Sequence, residues 1–315
     1  AGMATVFFIC AVLAVLEISL SFDNAIVNAN KLKDMTPVWQ HRFLTWGILI
    51  AVFGMRFIFP IVIVAVAAGM GLGEVVTQAF TNPEMYAEHL HDAHVAISAF
   101  GGTFLMMVFL KYFMDPEKEA HWLTGFESRL ARIGRLDTVQ AIIVGILLTL
   151  LVNYTVAPAE KYSALLAGVV GLLTYLAVDA LGSLFEADNA TEKAGAAGAS
   201  AFLYLEVLDA SFSLDGVIGA FALTKDIVLI AAGLTIGAIF VRSLTIMMVR
   251  KGTLEAYRFL EHGAHYGIGA LATIMLLSMN RNVHIPEVIT GLIGAGFIAL
   301  AVWSSLRANK RDALN

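Results

Sequence analysis

The chain of 315 residues has few charged residues and a single cysteine. Charged residues make up 14% of it and hydrophobic ones 59%, whereas soluble globular proteins have about 25% charged and about 45–50% apolar residues. This shortage of charge excludes a surface that faces water on all sides, so much of the apolar surface must face lipid. The cysteine, Cys10, lies in an apolar run, and its isolation excludes an intramolecular disulfide and a cysteine-based metal site.

Positive charge is also scarce and scattered. The 20 Lys and Arg residues do not form one basic helix or patch, which excludes a nucleic-acid-binding protein. The first apolar run has no basic segment before it and contains Glu17, so we do not expect a cleavable signal peptide.

Long apolar runs predict an all-α membrane protein. A spanning helix needs about 20 predominantly apolar residues. Nine runs fit this description, and they cover residues 3–30, 42–70, 93–114, 138–157, 161–186, 197–223, 226–250, 263–281 and 286–307. We therefore predict a single transmembrane domain, residues 1–315, with about nine transmembrane helices.

The distribution of Lys and Arg predicts the orientation of these helices. Most Lys and Arg residues lie in the connections after odd-numbered predicted helices, on one side of the membrane. The connections on the other side have only Lys161, Lys225 and Arg281. Because cytoplasmic connections are enriched in Lys and Arg, we expect the N-terminus outside and the C-terminus in the cytoplasm. The longest connection, 115–137, is then cytoplasmic, and the spacing of Trp122, Phe126 and Leu130 predicts an amphipathic segment at the membrane surface.

Three features of the sequence occur twice in the same order. The first is an acidic-serine motif, Glu17-x-Ser19-x-Ser21-x-Asp23 and Asp209-x-Ser211-x-Ser213-x-Asp215. The second is a glycine followed nine residues later by an arginine, Gly47 with Arg56 and Gly233 with Arg242. The third is a histidine pair, His91 with His94 and His262 with His265. An ordered set of three matches indicates an internal repeat.

The repeat predicts the organisation of the helices. Repeat A covers 3–114 (helices 1–3), connecting helices cover 115–186, repeat B covers 197–281 (helices 6–8), and an extra helix covers 286–307. Repeat B starts five helices after repeat A. Because five is an odd number of membrane crossings, the two repeats should have opposite orientations in the membrane. Inverted repeats are typical of secondary transporters, which bind their substrate near the midplane between the repeats.

The motif acids indicate a site inside the membrane. Glu17 and Asp209 lie near the middle of predicted spans, where an ionisable group costs at least about 2.5–3.5 kcal/mol on insertion scales. Asn24 and Gly216 follow the second acids and tolerate non-helical backbone, so we expect local unwinding at both motifs. Oxygen ligands suit hard divalent cations, and the predicted ligands are Glu17, Asp23, Asn24, Asp209, Asp215, Ser19, Ser211 and Ser213.

Arg56 and Arg242 are the expected counter-charges or gating groups. With the four motif acids they leave two negative charges, which one divalent cation would neutralise. Buried acids without a counter-charge take up protons, so exchange for protons is the coupling hypothesis. The predicted pathway consists of Ser21, His91, His94, His262, His265, Glu206 and Asp179. In the alternative interpretation the charges are structural ion pairs, the serines pack helices, and the histidines are interfacial or capping residues.

The segments that contain these motifs, 16–25, 43–56, 204–220 and 260–265, resemble a bacterial integral-membrane family of unknown function that is related to the tellurium-resistance protein TerC. The resemblance extends over nearly the whole chain. It implies a bacterial cytoplasmic membrane protein of a wider transporter superfamily, similar to the lysine exporter, with inverted three-helix repeats and several members implicated in divalent-metal export. By this resemblance Glu17, Asp23, Asp209 and Asp215 are the expected metal ligands, for Mn²⁺ first and Ca²⁺ second.

The leading hypothesis is a transporter, not an enzyme, that exports a divalent cation by alternating access and needs no organic cofactor. Its expected partners are the lipid bilayer, metal ions and protons, and no nucleic acid; homo-oligomerisation stays open. The main alternative is a membrane scaffold or a subunit of a tellurite-type stress-resistance complex. An intramembrane hydrolase with paired aspartates and a haem protein that uses the histidines are further alternatives.

Overall fold

The computed structural model describes residues 2–116, 118, 120–134, 138–186 and 193–312, apart from the side chains at 67, 182–186, 193–197, 214, 215 and 222. Throughout this part of the chain the regular secondary structure is helical, which confirms the all-α class. Among the described residues, six helical stretches are long and apolar enough to cross a membrane: Met3–Leu20, Pro37–Val66, His94–Phe113, Lys161–Leu181, Ile227–Lys251 and Glu287–Asp312.

Fifteen α-helices follow one another along the described residues. They are α1 (Met3–Leu20), α2 (Phe22–Lys33), α3 (Pro37–Leu49), α4 (Phe59–Ala68), α5 (Leu72–Thr81), α6 (Pro83–Asp92), α7 (His94–Phe113), α8 (Thr124–Ile133), α9 (Val139–Thr155), α10 (Lys161–Glu186), α11 (Lys193–Leu223), α12 (Ile227–Lys251), α13 (Thr253–Ala256), α14 (Leu260–Ser278) and α15 (Glu287–Asp312). Between α3 and α4 the residues Ile50–Ile58 form a π-helix.

Three of the nine predicted spans, 138–157, 197–223 and 263–281, correspond to helices outside the six apolar stretches. α9 has 17 residues, fewer than the roughly 20 that crossing requires. α11 contains Glu206 and Asp209, and α14 has Glu261 and His262 in its first turn, which lowers the apolar content of both helices. The count of nine spanning helices therefore stays a prediction. The short helices α5 and α6 were not predicted from the sequence.

The broken helix α1–α2 runs antiparallel to α11. Near the end of α2 the Lys31 ammonium lies 5.7 Å from the centre of the Tyr204 ring, which is near the start of α11. Further back along α1, Glu17 faces Gly216, near the end of α11: a Cβ at 216 would lie 3.3 Å from Glu17 Oε2. Later residues of α1–α2 therefore contact earlier residues of α11, as in an antiparallel pair of helices.

In contrast, α12 runs parallel to α1 and packs closely against it. A Cβ at Gly233 would lie 2.5 Å from Leu13 Cβ, and a Cβ at Gly237 would lie 2.5 Å from Glu17 Cβ. Small residues at such crossings let helix backbones approach each other, which is the usual basis of helix association in membranes. This packing brings α12 against the first acidic motif.

Helix α7, the most buried of the six apolar stretches, is antiparallel to α14. Gly101 and Gly102 of α7 face Met275 and Leu276 near the end of α14, and at the other end Phe109 faces Gly269. α15 then packs along α1 and α14. The bundle therefore surrounds the two acidic motifs on α1–α2 and α11 with α12, α14 and α15.

Candidate functional site

The first acidic motif lies at a break in the helix. α1 ends at Leu20 and α2 begins at Phe22, and Ser21 between them has φ −108° and ψ 11°. The Ser21 hydroxyl donates to Glu17 Oε1 at 3.2 Å. The structure therefore shows the expected interruption between Glu17 and Asp23.

The second motif lies within a continuous helix, because α11 extends without interruption through residues 209–215. The unwinding that we expected there is absent from this described backbone. The Ser211 hydroxyl donates to the Val207 carbonyl, one turn earlier, at 3.0 Å. Serine can bond to its own helix in this way without leaving it, so a serine-rich motif alone does not break α11.

A small cavity of about 20 Å³ lies where the two motifs meet. A volume of this size holds about one water-sized particle. Its lining combines acids, arginines and amides from distant parts of the chain: Glu17, Asp209, Arg56, Arg242, Asn24, Asn28 and Ser21, with Ala51, Ala238, Val241 and Thr245. We refer to it below as the central cavity.

Arg56 pairs with the first of the two acids. The guanidinium donates through Nη2 to Glu17 Oε1 and through Nη1 to the Ala51 carbonyl. The two side chains are 4% and 3% exposed, so the pair is fully buried. Arg56 lies in the π-helix Ile50–Ile58, a rare conformation that occurs frequently at functional sites.

Arg242 pairs with the second acid. Its Nη2 lies 3.0 Å from Asp209 Oδ2 and donates to the Gly47 carbonyl at 3.1 Å. The guanidinium carbon also lies 3.9 Å from the centre of the Phe43 ring, within the range of a cation–π contact. Each predicted arginine therefore neutralises the acid of its own predicted repeat.

Glu206 is a third acid beside Arg242. Its Oε1 is 3.9 Å from Arg242 Nη2, and neither carboxylate oxygen accepts a hydrogen bond from the described residues. A Cβ at Gly47 would lie 2.7 Å from the same oxygen. Arg242 thus lies between Glu206 and Asp209, and its stronger contact is with Asp209.

Asp23 is buried but lies outside the central cavity. A Cβ at Gly267 of α14 would lie 2.9 Å from Asp23 Oδ2, and one at Gly294 of α15 would lie 3.7 Å away. The side chain of Asp215 is outside the described residues. The two acids and two arginines of the cavity cancel in charge, so the expected excess of two negative charges is not found among its described residues.

The histidines and acids of the described part of the chain do not form a preformed metal centre. No group of three or more His, Cys, Asp or Glu side chains there could hold a metal ion in the present geometry. A cation in the central cavity would instead be bound by two carboxylates together with amide and hydroxyl oxygens.

Two asparagines supply such oxygens. Asn24 Nδ2 donates to Asp209 Oδ1, and Asn28 Nδ2 lies 3.5 Å from the same atom. Both side chains are 2% exposed, and neither Oδ1 accepts a hydrogen bond from the described residues. A buried oxygen without a partner costs about 1–3 kcal/mol. Asn24 was predicted from the sequence and Asn28 was not, although Asn28 lies four residues later on the same helix and therefore on the same face.

The other motif serines do not line the central cavity. Ser19 is exposed, and its hydroxyl donates to the Val15 carbonyl at 2.8 Å. Ser211 bonds within α11, and the buried Ser213 hydroxyl has no partner among the described residues. Of the four serines, only Ser21 lies at the place where the motif acids meet.

The histidine pairs lie away from the central cavity. His91 and His94 line a cavity of about 280 Å³ beside the end of α14. His265 lines another cavity, of about 460 Å³, at the start of α14. Asp179 lines the same cavity and lies 3.2 Å from Lys111 Nζ. The predicted pathway histidines and Asp179 thus divide between opposite ends of α14, whereas Ser21 lines the central cavity and Glu206 lies beside Arg242.

His262 contacts the connection 115–137 through Glu127 of α8. This carboxylate is 0% exposed and lies 3.5 Å from His262 Nε2. It accepts hydrogen bonds from the backbone N–H of Leu123 and from the Tyr266 hydroxyl. Burial alone would raise the pKa of Glu127, but the Leu123 hydrogen bond and the charges of His262 and Lys118 outweigh it and hold the pKa below its ordinary value. The amphipathic pattern of the segment gave no sign of this buried acid.

Comparison with known proteins places the chain in a family. Residues 22–312 match the family described as "Protein of unknown function (DUF475)". Because this match covers most of the chain, the protein belongs to that family. No curated protein and no solved structure matches it significantly.

Proposed function

We propose that this DUF475 protein is a membrane transporter that exports a divalent cation and binds it in the central cavity. One observation carries the proposal: Glu17 and Asp209, which are far apart in the sequence, line one buried cavity. Acids inside helical membrane proteins usually mark substrate or ion pathways. Export from a bacterial cytoplasm, and the preference for Mn²⁺ over Ca²⁺, rest on the TerC-related resemblance.

The packing of two glycines supports the inverted repeat. Gly47 of repeat A approaches α11, with a Cβ at 47 only 2.7 Å from Glu206 Oε1. Gly233, its predicted equivalent in repeat B, approaches α1, with a Cβ at 233 only 2.5 Å from Leu13 Cβ. Matched crossings of this kind, each between the second helix of one predicted repeat and the first helix of the other, are what two inverted repeats around one site would produce.

The arginines would act as internal substitutes for the cation. Arg56 and Arg242 hold the carboxylates of Glu17 and Asp209 when no cation is bound. A divalent cation competes for the same oxygens and repels the guanidinium groups, so binding would displace them. Because the site would be neutralised by arginines in one state and by the cation in the other, neither state leaves uncompensated buried acids.

The two larger cavities would give access to the central cavity from opposite sides. The cavity with His265 also contains Lys31 and Lys111, as expected of the cytoplasmic side. The cavity with His91 and His94 would then face outward. Glu206, which shares Arg242 with Asp209, would be the proton-carrying group if transport is coupled to protons.

Titration of the purified protein with Mn²⁺ and Ca²⁺ tests the proposal. We expect the wild-type protein to bind, and Glu17→Gln and Asp209→Asn each to weaken binding by about 10-fold or more, as loss of a metal-site interaction commonly does. Glu74→Gln, an exposed acid on α5, is the matched control and should bind normally. Normal binding by both cavity variants would contradict the proposal.

The neutral pairing of the cavity favours a second candidate function, a membrane scaffold or a subunit of a stress-resistance complex. In that case the Arg56–Glu17 and Arg242–Asp209 pairs only hold helices together. Amide variants would then lower thermal stability but leave Mn²⁺ binding and the manganese content of cells at the wild-type level.

A further inference from the structure

We propose that Asn28, together with Asn24, binds the cation through its amide oxygen and helps to set the preference of the site for hard divalent cations. This inference rests on the proposed function, because it names a further ligand of the same site. The evidence for this further ligand comes from the side-chain amides of Asn24 and Asn28 on α2, in addition to the motif acids.

The orientation of both amides follows from the chemistry of Asp209. An ionised carboxylate only accepts hydrogen bonds, so the Nδ2 groups of Asn24 and Asn28 must face Asp209 Oδ1. The oxygen of each amide therefore points away from Asp209. Both asparagines line the central cavity, and in both the amide oxygen is buried without a hydrogen-bond partner among the described residues.

Most donors around the cavity bond to other acceptors, whereas Arg56 Nε has no partner among the described residues. Arg242 donates to Asp209 and the Gly47 carbonyl, and Ser21 donates to Glu17. Asn24 and Asn28, whose amide oxygens have no partner among the described residues, thus line, together with Glu17 and Asp209, a space that holds one small particle. A divalent cation there would be attracted by every one of these oxygens.

The mixture of oxygens fits a hard cation. Calcium sites combine carboxylates with amide and carbonyl oxygens, and their affinity depends on the number of charged ligands. Softer metals such as Zn²⁺ prefer histidine and cysteine ligands. Neutral oxygens from Asn24 and Asn28 raise the number of ligands without adding charge, which would permit both binding and release.

Two substitutions at one position test the role of the oxygen. We expect Asn28→Ala to weaken Mn²⁺ and Ca²⁺ binding by about 10-fold or more. Asn28→Asp places a charged oxygen at the same position and should tighten binding of both ions by about 10-fold. Asn30→Ala is the matched control on α2, because the Asn30 amide donates to Glu261 and lines the 460 Å³ cavity instead.

The measurement is calorimetric titration of the four detergent-purified proteins with MnCl₂ or CaCl₂, with the ion-induced shift of thermal unfolding as a second readout. Equal binding by Asn28→Ala and Asn30→Ala would overturn the inference while leaving the proposed function intact. If Asn28→Asp did not tighten binding, the oxygen would be hydrated instead, and the inference would also be wrong. If the wild-type protein bound neither ion, both the inference and the proposed function would fail.

Discussion

The close passage of α12 across α1 at Gly237 gives the most direct test of the helix packing. A Cβ at this position would lie 2.5 Å from Glu17 Cβ, 2.7 Å from Glu17 Cγ and 2.9 Å from the Ala14 carbonyl oxygen. Non-bonded carbons are comfortable at about 3.5–4.0 Å. The backbone carbonyl cannot rotate away, so Gly237→Ala would push the two helices apart by about 1 Å.

The size of the effect follows from two opposing contributions. Overpacking of a close contact costs about 1–3 kcal/mol, whereas alanine gains about 0.5–1 kcal/mol over glycine within a helix. We expect a net loss of up to about 2.5 kcal/mol in the free energy of unfolding for Gly237→Ala. Gly145→Ala on α9 is the control: nothing lies within 4 Å of its Cβ position, so only the helix gain applies.

Thermal unfolding of the detergent-solubilised variants measures this difference. The expected order of midpoints is Gly145→Ala at or above the wild type, and Gly237→Ala clearly below it. If Gly237→Ala unfolded at the same temperature as Gly145→Ala, α1 and α12 would not be in the close contact described, and the central cavity would lose one of its walls.

Three further predictions concern buried charges. Glu17→Gln and Arg56→Met should each cost about 3–5 kcal/mol, because each leaves an unpaired buried group, and the double variant should cost less than their sum; additive losses in unfolding experiments would show that the pair is not coupled. Since the pKa of Glu127 is held below its ordinary value, its contribution to stability is present above the ordinary carboxyl pKa and is lost as the pH falls through the folded-state value. Glu127→Gln should therefore flatten the acid side of the stability–pH profile, and an unchanged profile would refute the network. Burial lowers the pKa of Lys118 to about 8, so the unfolded chain binds more protons between pH 8 and the ordinary lysine value, and stability should rise with pH in that window. Thermal unfolding at pH 8 and pH 10 should show this rise in the wild type and lose it in Lys118→Met.

Much of the site could be predicted from the sequence. The composition required lipid-facing helices, and the repeated motifs singled out Glu17 and Asp209 with Arg56 and Arg242, all of which line one cavity. These residues could be found because ionisable groups are rare and costly in apolar helices. The six apolar stretches were also recognisable from their length and composition alone.

Only the tertiary structure decided which polar side chains face the cavity. Asp23 and Asn24 are neighbours in the sequence, yet successive residues of a helix point in different directions, so Asp23 faces α14 and α15 while Asn24 and Asn28 face Asp209. The sequence states that a side chain is polar; which helix covers it depends on contacts between residues nearly 200 positions apart. For that reason Glu17, Asp209 and Asn24 were predictable from the motifs, and Asn28, which also lines their cavity, was found only in the folded chain.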